Sequence, residues 1–225
     1  MSAGDEGLKI CGIDEAGRGA VIGPMVIAGV LIDHRRVEEL VELGVKDSKK
    51  LRPEARAQLS KLIREKAERV EVVALDAETV DKSTKRSGAS GLNRLEAEVF
   101  AEIIDSLKPD AAYIDLPSTN YEEFRDLISK LMKHRCALIL EHKADEKYPI
   151  VSAASIIAKH ERDSLIERLR AELGDFGSGY PSDPKTRSYL MERLRRGRLK
   201  DPHIRSTWKT LSKIAQLRLD EFSED

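Results

Sequence analysis

Aromatic residues are scarce in this chain: Phe, Tyr and Trp together make up 4% of 225 residues. Aliphatic side chains must therefore fill its core. Cysteine occurs only as Cys11 and Cys136, in neither a CxxC nor a zinc spacing. That excludes a disulfide framework and a zinc ribbon, and leaves two thiols buried in apolar runs. No run reaches the roughly 18 apolar residues of a membrane span, and no signal peptide opens the chain, so a cytoplasmic protein is expected. No GxxxxGK[ST] run is present, which excludes a P-loop ATPase. No pair of histidines has metal-ligand spacing. The formal net charge of −1 provides no overall attraction to a polyanion.

Charge itself is plentiful. Asp, Glu, Lys and Arg make up 35% of residues, against about 25% in an average domain. Asn stands only at 93 and 120, and Gln only at 58 and 216. Abundant charge with few thermolabile amides is the balance of a heat-adapted protein. The basic residues cluster. From Lys185 to Lys209 nine Lys or Arg face only Glu192 and Asp201, and KDSKKLR (46–52) and KSTKR (82–86) form two further groups. Such patches are the electrostatic footprint of a nucleic-acid partner, although solvated helix faces account for any one of them taken alone.

Apolar runs mark strands at Leu8 to Asp14, Met25 to Ile32, Val70 to Leu75, Ala111 to Asp115 and Arg135 to Glu141. Helical spacing appears at Pro53 to Arg69, Leu92 to Leu107, Tyr121 to Met132, Ile150 to Leu173, Asp183 to Arg196 and Leu211 to Phe222. Pro53 fits a first helical turn and Asn120 an N-cap. The glycine-rich EAGRGAVIGP between the first two strands is a loop. Strands followed by alternating strands and helices, then by helices alone, indicate an α/β domain with a mixed five-stranded sheet flanked by helices, over residues 1–173, and a helical C-terminal extension over 174–225.

Acids stand where charge is expensive. Asp14 and Glu15 end the apolar run KICGI, Asp115 ends AAYI, and Asp145 follows ALILEHKA. Burial disfavours carboxylates, and carboxylates gathered at adjacent strand ends need a cation. Oxygen-only ligands select Mg²⁺ or Mn²⁺. Such a cluster suits metal-assisted phosphoryl transfer, with two ions some 3.5–4 Å apart. A regular strand points Asp14 and Glu15 to opposite faces, so a bend or bulge is needed to aim both at one site.

The runs GIDEAGRG (12–19), DSKKL (47–51), YID (113–115), HKAD (142–145), VSAASIIAK (151–159) and GSGYP (177–181) resemble, in order and along nearly the whole chain, the motifs of ribonuclease HII. The resemblance implies a ribonuclease H-like fold with metal-binding catalytic carboxylates at Asp14, Glu15, Asp115 and Asp145. It implies an endonuclease cutting on the 5′ side of a ribonucleotide in RNA–DNA hybrids, at RNA–DNA junctions or in duplex DNA, leaving 3′-hydroxyl and 5′-phosphate ends. A monomer is also implied. Another ribonuclease H-like nuclease, such as a resolvase or transposase, would share the carboxylates without a ribose reader. A non-catalytic hybrid-binding module would lack an acid or the GRG run.

Only the 2′-OH distinguishes ribose from deoxyribose at one site. Gly17 and Gly19 let backbone approach a sugar closely, and Arg18 adds charge for a phosphate, unless GRG is an ordinary tight turn. Tyr180, by resemblance, contacts the 2′-OH with its hydroxyl and the neighbouring sugar with its ring; the other reading is a hinge or core tyrosine. Ser48, Lys49, Lys143, Ser152, Ser155 and Lys159 are the phosphate-binding candidates, each equally explained as a solvated lysine or helix-capping serine. Finally, Gln216, Leu219 and Phe222 resemble the Q-x-x-aliphatic-x-x-aromatic box that docks on the sliding clamp. Leu219 and Phe222 share one helical face and could enter an apolar groove, or could simply pin the last helix to the domain.

Overall fold

A computed structural model describes residues 7–45, 51–118 and 120–212. All five expected strands are present. They are β1 (Lys9–Ala16), β2 (Met25–Asp33), β3 (Arg69–Leu75), β4 (Ala111–Asp115) and β5 (Ala137–Glu141), in one sheet of order β3-β2-β1-β4-β5. β1 runs antiparallel to β2 and parallel to β4, and β4 runs parallel to β5, so the sheet is mixed. Every residue of β2 is buried, which is why its sequence is a continuous apolar run rather than an alternating one. The edge strands β3 and β5 are only partly buried, as strands exposing an unpaired ladder should be.

The described helices are α1 (Val37–Glu42), α2 (Pro53–Lys66), α3 (Ala77–Leu107), α4 (Tyr121–Leu131), α5 (Ala144–Lys147), α6 (Pro149–Leu173) and α7 (Pro184–Arg195). Asn120 caps α4 as expected, its side chain accepting from the Glu123 N–H. A cap of this kind contributes about 1 kcal/mol. Asp183 caps α7 in the same way through the Lys185 N–H. α3 starts well before the expected Leu92. It breaks at Ser87 and Gly88, which leave helical geometry, so a first stretch from Ala77 precedes the expected one. That first stretch buries few apolar residues, Ala77 and Val80 among them, and so has no full stripe to betray it.

The residues divide into two compact units. Unit 1 comprises Met1–Ala16, Val26–Val73 and Asn93–Glu161; unit 2 comprises Gly17–Met25, Ala74–Leu92 and Arg162–Asp225. In unit 1, Phe100 and Phe124 meet edge to face at 5.8 Å, and both are buried. The start of α6 presses on β1 so closely that a Cβ on Gly12 would fall 2.2 Å from the Ile150 carbonyl oxygen, so only glycine fits there. In unit 2, Val21, Ile22, Ile166, Phe176, Leu190, Ile204 and Leu211 form a buried cluster. Asp81 is buried beside it and accepts from the N–H and hydroxyl of both Ser206 and Thr207, at 2.5–2.9 Å. Among the described residues, no helix is long and apolar enough to cross a membrane.

Candidate active site

Parallel pairing of β1, β4 and β5 sets three carboxyl-bearing chain ends side by side in unit 1. Asp14 lies near the end of β1, Asp115 is the last residue of β4, and Asp145 follows β5 in α5. One oxygen from each of the three lies within 4.8 Å of the other two. Asp14 and Asp145 are buried, at 4% and 6% exposure. The turn that delivers Asp145 is strained. Lys143 stands in the left-handed region (φ 57°, ψ 40°), a conformation that costs a lysine about 1–2 kcal/mol. The strain turns the chain so that the Ala144 N–H donates to Asp115 Oδ1 at 3.1 Å, bringing Asp145 alongside. A non-glycine residue held in this region is often part of a functional site.

Burial and the neighbouring Asp115 charge push the Asp14 pKa from 3.8 up to about 7. A hydrogen bond from the Ser155 hydroxyl, the positive charge of Lys159 and the Glu15 N–H (2.8 Å to Asp14 Oδ1) oppose that rise without cancelling it. Three acids converging in a poorly solvated place fit a hard divalent cation. The donor set is all oxygen, and a cation between the carboxylates would convert their repulsion into attraction.

Glu15 is placed differently from the expectation of a bulge. β1 pairs with β2 without interruption through Asp14↔Ala28, Glu15↔Ile27 and Ala16↔Val26. A regular strand sends Asp14 and Glu15 to opposite faces, and Glu15 is not one of the three converging acids. Ser152 is buried, and its hydroxyl donates to the Val45 carbonyl. Ser155 is fully buried and accepts from Lys159 Nζ at 2.7 Å. Ser155 and Lys159 thus surround Asp14. Lys143 is exposed. Ser48, Lys49, Gln216, Leu219 and Phe222 lie outside the described residues.

In unit 2, Gly17, Arg18 and Gly19 form a turn in which the Ala20 N–H donates to the Gly17 carbonyl. Gly17 has φ +87°, and its N–H donates to the Tyr180 hydroxyl at 3.0 Å. Gly19 is exposed, and a Cβ there would meet nothing within 4 Å among the described residues. Sequence adjacency to the acid pair was the signal for this turn. Its link to Tyr180 across 163 positions has no local signal. Two residues that hold this loop carry no such signal either. Arg205 Nη1 donates to the Arg18 carbonyl at 2.9 Å, and Arg162 Nε to the Pro24 carbonyl at 3.2 Å.

Comparison with known proteins follows the same line. The family model described as Ribonuclease HII matches residues 11–211. The ribonuclease HII of Pyrococcus furiosus is 45% identical, over 96% of this chain and 98% of its own. The crystal structure of ribonuclease H2 from Pyrococcus horikoshii superposes with a TM-score of 0.84 at 42% identity, covering 93% of this chain and 98% of that one. The ribonuclease HII in a PCNA complex from Archaeoglobus fulgidus gives 0.80 at 46% identity, covering 89% and 95%. The mixed, open sheet is thus the ribonuclease H-like fold that the motifs implied, and the protein is a ribonuclease. With likeness of this extent in sequence and in fold, the chain belongs to the ribonuclease HII family.

Proposed function

We propose that this enzyme hydrolyses the phosphodiester on the 5′ side of a ribonucleotide, in RNA–DNA hybrids, at RNA–DNA junctions and at single ribonucleotides embedded in duplex DNA, leaving 3′-hydroxyl and 5′-phosphate ends. The convergence of Asp14, Asp115 and Asp145 carries this reading. These three are the residues assigned to hold Mg²⁺ or Mn²⁺; Glu15 is added on the motif resemblance, and would need a local bend of β1 to join them. Two such ions, when bound, supply Lewis-acid stabilisation of the phosphate and a water of lowered pKa. Lys159 and Ser155 favour the charged form of Asp14 that binding requires, against the burial and the Asp115 charge that disfavour it. Gly17 and Tyr180 read the sugar, and their mutual hydrogen bond sets donor and acceptor where a 2′-OH can be tested. The deciding experiment is cleavage of a duplex carrying one ribonucleotide, with products mapped to the nucleotide. Cutting on the 3′ side, or equal cutting of all-DNA duplex, overturns the reading.

Residues 174–225 we assign to duplex binding and partner docking. Arg195, Arg196 and Arg198 are exposed at and beyond the end of α7. Neutralising all three is expected to weaken duplex binding and flatten its salt dependence, each lost phosphate contact lowering the log–log slope by about 0.9. An unchanged slope assigns these arginines to solvent instead.

We further infer that the tail docks on the sliding clamp, as the complex of the Archaeoglobus fulgidus relative suggests. The support in this chain is the Gln216, Leu219, Phe222 spacing. A peptide from Ser212 to Asp225 is expected to bind the clamp, and Phe222→Ala to abolish that binding while free duplex is still cleaved. Loss of thermal stability with clamp binding retained would instead make Phe222 a packing residue.

A further inference from the structure

Two arginines of unit 2 are buried as deeply as core aliphatic residues: Arg162 is 4% exposed and Arg205 0%. A guanidinium keeps its charge and carries five donors, so burying one is tolerable only where the surroundings meet them. Arg162, on α6, donates to the main-chain carbonyls of Pro24 (3.2 Å), Ser178 (3.3 Å) and Ile22 (3.5 Å). Its guanidinium carbon lies 4.6 Å from the centre of the Tyr180 ring. The same group abuts both glycine turns. A Cβ on Gly17 would fall 2.3 Å from Arg162 Nε, and one on Gly179 would fall 3.3 Å from Arg162 Nη2. One planar cation therefore touches both ends of the hydrogen bond from the Gly17 N–H to the Tyr180 hydroxyl. Arg205 serves another part of the loop. It donates to the carbonyls of Arg18 (2.9 Å) and Gly23 (3.0 Å), and its ring partner is Trp208, at 4.9 Å.

We propose that Arg162 is a positioning residue for ribose discrimination. By gripping the Ile22, Pro24 and Ser178 carbonyls with its edge and the Tyr180 ring with its face, it fixes where the Tyr180 hydroxyl stands relative to the Gly17 amide. This rests on the reading of Tyr180 and Gly17 as the sugar-sensing pair. Tyr180 ends a loop in which Gly177 and Gly179 both have positive φ. A ring carried on such a loop needs support from outside it. A lysine cannot replace the arginine in this role. An ammonium is a compact point charge without the planar fork, and cannot meet three carbonyls and a ring face together.

The test is a double-mutant cycle on cleavage of a duplex with one ribonucleotide, with the melting temperature of every variant measured alongside. Arg162→Lys is expected to lower kcat between about 10-fold and about 100-fold, the cost of misplacing a group by about an ångström. KM for the duplex should change by less than about 3-fold, because phosphate contacts are untouched. In the Tyr180→Ala background, Arg162→Lys should cost less than about 2-fold more, since a residue acting through Tyr180 has nothing left to position. Arg205→Lys is the control: it should lower the melting temperature comparably, yet add its whole cost to Tyr180→Ala. Arg162→Gln, neutral but planar, repeats the cycle independently of the lysine variant. If Tyr180→Ala cleaves like the wild type, the sugar-sensing reading fails and takes the proposal with it. If Tyr180→Ala is impaired and the Arg162 substitutions add their full cost, the sensing pair survives and Arg162 is only a structural support.

Discussion

Asp14→Asn is expected to abolish cleavage and, at neutral pH in chelator, to raise the melting temperature. The first effect follows from charge: a neutral amide is a poor ligand for a divalent cation, and losing one transition-state electrostatic element costs at least about 100-fold. The second follows from the cluster's own repulsion. Because the Asp14 pKa is raised in the folded protein, from 3.8 to about 7, the folded state binds this proton more tightly than the unfolded chain does. The metal-free fold is therefore destabilised progressively as pH rises from about 4 to about 7, with the full penalty above that. Asparagine never ionises and escapes the penalty. Each kcal/mol of relief should appear as about 2–4 °C in a chain of this size. EDTA should silence the wild type as completely as the substitution does. Residual cleavage above about 1% in either condition would remove the carboxylates from the chemistry. A fall in melting temperature would show that the acid is a structural partner rather than a repelled ligand.

Gly17→Ala is expected to be nearly as damaging, for reasons of space rather than charge. At φ +87° an L side chain is strained, by about 1–3 kcal/mol. The added Cβ would also lie 2.3 Å from Arg162 Nε and 2.5 Å from the Pro24 carbonyl oxygen. The carbonyl belongs to the main chain and cannot swing aside, so the turn must move and the Gly17 N–H must leave the Tyr180 hydroxyl. Cleavage at a single ribonucleotide should fall by about 100-fold, as for any misplaced reactive geometry. Binding of the duplex in chelator should fall much less, because phosphate contacts dominate affinity. Gly19→Ala separates the substrate's needs from the protein's. Its Cβ would meet none of the described residues within 4 Å, so stability should stay within about 0.5 kcal/mol, and a loss of cleavage would then point to collision with the nucleic acid. A Gly17→Ala enzyme with wild-type rate and stability would contradict both parts of this account.

The parts of the molecule visible in its sequence are those where a residue's type conflicts with its setting. Asp14, Asp115 and Asp145 were legible because each charge sits beside an apolar run, and parallel strands bring their ends together. β1 and β2 were legible because their burial is nearly continuous. Arg162 and Arg205 were not. Both donate to main-chain carbonyls and lie against aromatic rings, partners that carry no opposite charge in the sequence, and on a helical pattern an arginine such as Arg162 looks solvated. The strain at Lys143 was equally hidden, because backbone conformation at a non-glycine position leaves no residue-type signature. The early start of α3 escaped because a short basic helical turn lacks an apolar stripe. Regular spacing cannot reveal the bulge-free register of β1 either, since that depends on how β2 pairs with it.

The bond from Arg205 to the Arg18 carbonyl joins residues 187 positions apart, and this has a consequence during synthesis. Residues 17–20 leave the ribosome well before the side chains that hold them, Arg162, Tyr180 and Arg205. At about 5–20 residues per second, the turn waits roughly 10–40 s before its supports exist. Over that interval Val21 and Ile22 have no Phe176, Leu190, Ile204 or Leu211 to pack against. A nascent chain stalled before residue 176 therefore exposes this apolar pair. Until residue 205 is made, the turn lacks the donor that holds its Arg18 carbonyl.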